Sequence, residues 1–466
     1  MARLPEQPLS KLSPAARNRL IVLAVITQIA MTVVAVSIYF AVTRLSGPAA
    51  EPSTQANGQP SGAAVPPTLS ATPPPSQPTY RANASRTGFY DSKAIDAVHG
   101  TRWSVSTSAP GSLPASGSGN GIYSSNAVAS AGTVFLGTSD GSLRALDAST
   151  SRELWKYVNK NKGGSTPTVS GDTVFSGGGS LAALDAGSGS VKWNYPLATD
   201  AATLVSAGTV YAGSGKTMYA LTAADGSLKW QFDSGDPRLS APALDGGTLF
   251  FGGSGLDGAA MSDDGKAHSL YAVDAATGTE LWRHTVPETI GAVPAAAGGI
   301  VYFVSYHATR TGGGDPRYPQ SISVQGALHA LDARTGAELW KFETDTIMNQ
   351  PVAVAGGLVF LANGDRNYQP ENPNGYIRAL DARTGAEKWL VETGPVLSPP
   401  SVAGGRVYLA SNEKTGQGSG LIYCLDAATG EQVWTYRLSA RPQINTELVF
   451  SDGTLYLSGN ELLAIY

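Results

Sequence analysis

Five histidines (His99, His268, His284, His307 and His329), one cysteine (Cys424) and the acidic stretch "LDGAAMSDDGK" (Leu256–Lys266) are the residues best suited to metal or nucleophilic chemistry in this chain. None has the spacing such chemistry asks for. The histidines are scattered, without the short paired intervals of a metal motif. The acidic stretch has three Asp near a Gly but not the ligand positions of a calcium loop, and it reads as a solvated loop. A single cysteine cannot form an internal disulfide. Cys424 lies at an apolar strand position beside Leu425, which suits a buried, inert thiol. No glycine-rich phosphate loop, nucleophile elbow or kinase signature is present. These observations argue against an enzyme.

Acids and tryptophans do keep a fixed spacing, but many times over. "ALDARTGAELWKF" (Ala330–Phe342) returns as "ALDARTGAEKWLV" (Ala379–Val391), and related segments begin at Ala145, Ala183, Ala220, Ala272 and Cys424. In every copy the tryptophan follows the acid position at one interval: Asp147 and Trp155, Asp185 and Trp193, Thr222 and Trp230, Asp274 and Trp282, Asp332 and Trp340, Asp381 and Trp389, Asp426 and Trp434. A catalytic site is used once, whereas a segment repeated in this way is a building block.

Each block needs two strands and a turn to position those residues. The run before the acid alternates as a strand does, and the segment around the tryptophan resumes the alternation. Between them, Asp accepts hydrogen bonds from the backbone that follows and Gly supplies positive φ. A second strand pair joined by "GG" precedes many copies, as in "PVAVAGGLVFLAN" from Pro351. Four antiparallel strands in about 40–50 residues make one propeller blade. The last segment, "TLYLSGNELLAIY", supplies a third strand without a fourth, and Trp103 in "GTRWSVST" marks a fourth strand without a third. Pairing them gives an all-β, eight-bladed propeller of four-stranded blades over residues 80–466, with no open sheet edges at the closure. The changes at Ser151 (for Gly) and Thr222 (for Asp) should weaken two turns and leave the fold intact.

The "A-x-D-x-x-T-G-x-x-x-W" pattern resembles the repeat of the propellers related to pyrroloquinoline quinone (PQQ) dehydrogenases. That group includes the non-enzymatic propeller lipoprotein of the outer-membrane barrel-assembly machinery and the sensor propellers of some bacterial receptor kinases. "YRANASRTGFY" (Tyr80–Tyr90) is similar to the lead-in that opens many of them. The resemblance implies that Trp103, Trp155, Trp193, Trp230, Trp282, Trp340, Trp389 and Trp434 dock between neighbouring blades, over the Ala and Gly of the motif. It also raises the possibility of PQQ. The quinone enzymes of the group clamp the cofactor with a disulfide between adjacent cysteines and use calcium with an Asp base. A chain whose only cysteine is Cys424 cannot form that clamp, so no cofactor and no catalytic, cofactor-binding or metal residues are expected.

The N-terminal region speaks to location. Residues 1–19 are basic, and Leu20–Val42 is an uncharged apolar run. It is long enough to cross a hydrocarbon core of about 30 Å. A cleaved signal peptide has a shorter apolar region and a small-residue cleavage site. The expectation is a cytoplasmic tail (1–19), an uncleaved transmembrane helix (20–43) and a propeller outside the cell membrane. No cysteine is available there for lipid attachment, unlike the assembly lipoprotein. Residues 44–79 are rich in Pro, Ser, Thr and Ala and read as an unfolded tether. The chain carries a formal net charge of −4, and its basic residues gather around the apolar run, so the propeller is acidic. Nucleic acid is a poor partner for it.

One asymmetry points to a partner surface. Four consecutive blades carry insertions between their second and third strands, and the most polar and aromatic are Ser305–Gln325 and Asn363–Asn374. Tyr306, Arg310, Asp315, Arg317, Tyr318, Asp365, Arg366 and Tyr368 lie in them, and Tyr and Arg are enriched at binding hot spots. The sequence thus indicates a membrane-anchored, extracytoplasmic scaffold that binds a protein or an envelope component. The alternatives are a quinone-dependent oxidoreductase and a small-ligand sensor whose axial channel presents Asn349, Gln350, Gln443 and Asn445.

Overall fold

The computed structural model describes residues 79–466 except 108–124, 139, 160–164, 200, 255–266, 312–320, 347, 349, 365–374, 414–419, 439–445 and 460. The tail, apolar run and tether expected over residues 1–78 lie outside the described residues. Among the described residues, no helix is long and apolar enough to cross a membrane.

The strands form eight antiparallel sheets that follow one another along the chain. We number the blades 1 (128–158), 2 (168–195), 3 (204–233), 4 (243–286), 5 (295–344), 6 (353–393), 7 (401–437) and 8 (448–465 with 101–106). Blades stack face to face, so their second and third strands are covered on both sides. This explains why Leu249, Phe250, Phe251 and Leu270–Val273 form near-continuous buried apolar runs instead of alternating ones. Alternation returns in the fourth strands, where one side meets solvent, as in Glu153–Val158.

The repeat motif builds the seams. In blade 4, Asp274 Oδ1 accepts hydrogen bonds from the amides of Ala276 (3.1 Å) and Thr277 (2.8 Å) and from the Thr277 hydroxyl (2.8 Å). The turn then passes through Gly278 at φ +76°, and the Trp230 ring of blade 3 lies so close that a Cβ on Gly278 would sit 2.7 Å from it. The same ring donates from Nε1 to the Ala275 carbonyl at 3.0 Å. Glycine is therefore required there twice, by conformation and by contact. Trp103, Trp155, Trp193, Trp282, Trp340 and Trp389 make the equivalent bond to Ala148, Ala186, Ala223, Ala333, Ala382 and Ala427.

Blade 8 is completed by the strand Thr101–Ser106, antiparallel to Glu461–Ile465 with Trp103 opposite Ala464. The turn that joins these two strands elsewhere is replaced by residues from another part of the chain. His99 N donates to Tyr466 O at 2.6 Å, and Tyr466 N donates to Gly100 O at 3.2 Å. Trp434 finds no motif alanine in blade 8 and donates instead to Ile95 O at 2.7 Å.

Candidate functional site: the axial segment and the blade 5 rim

The first strand of each blade lines the axis of the ring, where a central channel would run. Residues 79–90 occupy that position. The amides of Leu244, Ala296, Val354 and Val402, in the first strands of blades 4 to 7, donate in turn to the carbonyls of Ala84, Ser85, Thr87 and Gly88 at 2.8–2.9 Å. Phe89–Tyr90 then adds a short parallel strand to blade 7. Blade 3 is reached by Arg86, whose Nη2 donates to Thr203 O at 2.8 Å while its Nε donates to Pro242 O at 2.9 Å. Blade 2 is reached through Thr79 and Thr168, whose hydroxyls are 3.3 Å apart.

At blade 8 the contact is ionic. The Arg81 amide donates to Glu447 Oε1 at 2.8 Å, and the Arg81 guanidinium lies 3.5 Å from Glu447 Oε2. Both side chains are buried, at 0% and 1% exposure, so neither charge has water as an alternative partner. Burial pushes the Glu447 carboxyl above its ordinary value, against the pull of Arg81. The same guanidinium donates to Pro400 O at 2.9 Å and to Val352 O, tying blades 7 and 6 to blade 8. Gly88 permits this: it sits at φ +64°, and a Cβ there would lie 2.3 Å from the guanidinium. Of the residues suggested for an open channel, Gln350 is half-buried at the start of blade 6, and Asn349, Gln443 and Asn445 lie outside the described residues.

The insertion in blade 5 is largely strand rather than loop. Ile300–Thr311 and Ser321–Asp332 pair residue for residue, from Ile300 opposite Asp332 to Thr311 opposite Ser321. Blades 4, 6 and 7 have second strands of 7 residues against 12 here. The hairpin therefore extends about 17 Å further, at ~3.4 Å per residue. Tyr306 lies in it, half-buried and opposite Gly326, and Arg310 lies opposite Ile322. Asp315, Arg317, Tyr318, Asp365, Arg366 and Tyr368 lie outside the described residues.

At the base of this hairpin the fold joins residues that are far apart in sequence. Ser305 Oγ is 2.9 Å from His329 Nε2, and His329 Nδ1 is 2.9 Å from Glu338 Oε2. His284 of blade 4 faces the same cluster, its ring centroid 6.2 Å from that of His329. A cleft of about 300 Å³ adjoins it, lined in part by Ser305, His307, Glu288 and Lys341. Burial lowers the pKa of His329, against the raising effect of Glu338. Spacing could not reveal the two histidines as neighbours, because they belong to different blades; only aligning the repeats places them on the two sides of one seam.

The family model described as outer membrane protein assembly factor BamB matches residues 93–216, 139–268, 219–317, 266–372 and 373–465, in overlapping copies. Outer membrane protein assembly factor BamB of Yersinia pestis is 30% identical over 279 residues, 59% of this chain and 57% of that protein. Serine/threonine-protein kinase AfsK of Streptomyces griseus is 29% identical over 243 residues, 51% of this chain and 23% of the kinase. The chain thus spans less than two thirds of the length of either relative. Quinohemoprotein alcohol dehydrogenase of Comamonas testosteroni superposes with a TM-score of 0.58 at 14% identity, covering 84% of this chain and 80% of the enzyme, which is a likeness of fold alone. With its motif copies, its eight blades and these matches, the chain belongs to the propeller family of outer membrane protein assembly factor BamB.

Proposed function

We propose that the chain is an extracytoplasmic scaffold, held to the cell membrane by residues 20–43, whose propeller docks a protein partner of the cell envelope through the blade 5 hairpin and the neighbouring insertions. The observation that carries this reading is the hairpin itself. It is a paired extension on one blade, where tolerated loop growth would leave unpaired chain. The relative named an assembly factor supports a binding role over a catalytic one.

Two alternatives are disfavoured by the axis. A quinone or a small sensor ligand would need space lined by stacking and cationic groups. Residues 79–90 line the axis beside blades 2 to 8, the guanidiniums of Arg81 and Arg86 are committed to backbone carbonyls and Glu447, and the cleft of about 470 Å³ that adjoins the segment near blades 8 and 1 offers Lys93 as its one lining cation. Calorimetry with PQQ and millimolar calcium is expected to give no saturable heat, and a micromolar one-to-one isotherm would move the protein to the oxidoreductase or sensor class.

The docking role is tested by crosslinking in cells followed by mass spectrometry. The variant to compare with the parent lacks residues 308–324, with Asn-Gly joining His307 to Gln325. Those residues face each other in the ladder, so a two-residue turn fits between them. The parent's main crosslinked protein should be lost from the variant while its melting temperature stays the same. Retention of the same partner at the same yield would refute docking through the hairpin.

A further inference from the structure

The seam positions around each tryptophan can be compared blade by blade. One is the residue two after the tryptophan, on the fourth strand. It faces two positions of the next blade: the residue before the "ALD" segment and the residue two before the next tryptophan. Between blades 5 and 6 these are Phe342, Arg378 and Glu387. The Arg378 guanidinium sits 5.2 Å from the Phe342 ring centroid and 3.0 Å from Glu387. Between blades 8 and 1 they are Val105, Arg144 and Glu153, again with an Arg–Glu pair, at 3.8 Å. Between blades 4 and 5 they are His284, His329 and Glu338. Of the four seams that carry this glutamate (Glu153, Glu280, Glu338 and Glu387), two pair it with arginine, one sets Tyr271 beside it, and only the 4–5 seam has imidazoles at both other positions.

One ring nitrogen from each histidine and a carboxylate oxygen of Glu338 all lie within 4.8 Å of one another. Tetrahedral zinc with bonds of ~2.0–2.1 Å requires ligand atoms about 3.3 Å apart, which is within reach of side-chain rotation. His329 is already oriented as a ligand: Phe303 stacks on its ring at 4.5 Å and 9°, and Ser305 Oγ holds Nε2. That leaves Nδ1 for the side where Glu338 and His284 stand. A partner on the far nitrogen is the usual way a ligating imidazole has its tautomer fixed. The His284 ring makes contacts with Phe303 and His329 but no side-chain hydrogen bond to another described residue. The groups facing the cluster favour a cation: Glu288 and Glu343 flank it, and the one nearby amine, Lys341 Nζ, is held by Glu343 at 2.9 Å and by Glu288 at 3.8 Å.

We propose that His284, His329 and Glu338 form a three-ligand site for zinc at the seam between blades 4 and 5, with Ser305 as the orienting partner of His329. The metal supplies, beside Glu338, the positive charge that Arg144 and Arg378 supply at the 8–1 and 5–6 seams, and it clamps the base of the blade 5 hairpin to blade 4.

The test is calorimetric titration of the full-length chain, carrying a tag without histidines, with zinc chloride. One equivalent should bind, and zinc should raise the melting temperature. His284→Phe installs the aromatic that blades 3 and 5 carry at this position, so its metal-free melting temperature should match the parent's. It and Glu338→Gln should each weaken binding at least tenfold and abolish the zinc-dependent shift. Ser305→Ala should weaken binding by about 10-fold, as loss of an orienting partner does. His99→Ala, at blade 8, should bind as the parent does. Absence of saturable one-to-one heat in the folded parent would overturn the proposal, as would unchanged affinity in both His284→Phe and Glu338→Gln.

Discussion

Arg81→Ala isolates the contribution of the axial segment to the ring. The substitution removes one half of a buried ion pair and leaves Glu447, at 1% exposure, without its directly paired cation, with only the charge of Arg86 acting on it. Breaking such a pair by deleting one partner costs about 3–5 kcal/mol. It also takes donors from the carbonyls of Pro400 and Val352, so the upper end of that range is expected. An unfolding entropy of ~2.1 cal/mol/K per residue gives about 0.8 kcal/mol/K for a ring of this size, so the melting temperature should fall by about 4–6 °C. Differential scanning calorimetry of the purified full-length chain measures it. Adding Glu447→Gln removes the stranded charge, and the double variant should recover part of the loss, although the orphaned carbonyls remain. A fall of under about 1 °C for Arg81→Ala would refute the claim that this residue joins blades 6, 7 and 8, since the cost of a buried unpaired carboxylate alone exceeds it. A double variant less stable than the single one would show that Glu447 is held by something other than Arg81.

Three further outcomes follow from the same geometry. Ser151 stands at φ +63°, where its counterparts are glycine, so Ser151→Gly should stabilise the protein by about 1 kcal/mol in chemical denaturation. The turn aspartates are held below their ordinary pKa of 3.8, Asp147 at about 2 through hydrogen bonds from Ser149 and Thr150, and Asp274 and Asp185 lowered through Thr277 and Ser188. A depressed carboxylate contributes stability that is complete above its unfolded pKa and is lost as pH falls through the folded value. The melting temperature should therefore be insensitive to these groups above pH 5 and drop between about pH 4 and pH 2, and a flat acid limb would contradict the turn geometry. For the proposed orientation, protease added outside cells with a permeable wall should release a fragment near residues 80–466, and complete protection would reverse it.

The fold was legible because its signal is periodic. Seven acid-to-tryptophan intervals are equal, and Trp103 stands alone where a split blade requires it. The Trp-to-Ala and Trp-to-Gly contacts follow from that period, and the seams contain them. The axial segment was visible as a lead-in, but its role was hidden. Its contacts run mostly to backbone carbonyls and amides, such as Pro400 O and Val402 N, which carry no mark in the side-chain pattern. The length of the blade 5 strands was hidden because the stretch between Ser305 and Gln325 is dense in turn formers, yet the ladder continues from Ser305 to Thr311 and from Ser321 to Gln325. His284 and His329 were invisible as a pair for a third reason: blade stacking brings them together, and a linear search for ligand spacing does not cross a seam.

A repeat protein provides its own background against which departures can be read. The acid missing at Thr222 is made good locally: Asp225 accepts from the Ser227 amide at 3.0 Å, and the Ser227 hydroxyl is 3.0 Å from that of Thr222. The glycine missing at Ser151 is tolerated at the cost of a left-handed residue, and Trp103 still donates to Ala148 O at 3.0 Å. Both departures are absorbed within one turn and alter nothing beyond it. The departures at the 4–5 seam are of another kind. An imidazole at His284 packs no better than the Phe232 or Phe342 found elsewhere, and an imidazole at His329 is a poorer ion-pair partner for a glutamate than Arg144 or Arg378. Neither is explained by turn or blade stability, and both lie at the seam beside the longest hairpin among the described residues. Other seams vary at these positions too, with Ala182, Tyr219, Tyr271, Tyr423 and Leu463 where Arg144 and Arg378 stand, but none of them places two imidazoles beside a glutamate. Their coincidence with the hairpin distinguishes blades 4 and 5 from the rest of the described ring and is the reason the zinc titration is aimed there.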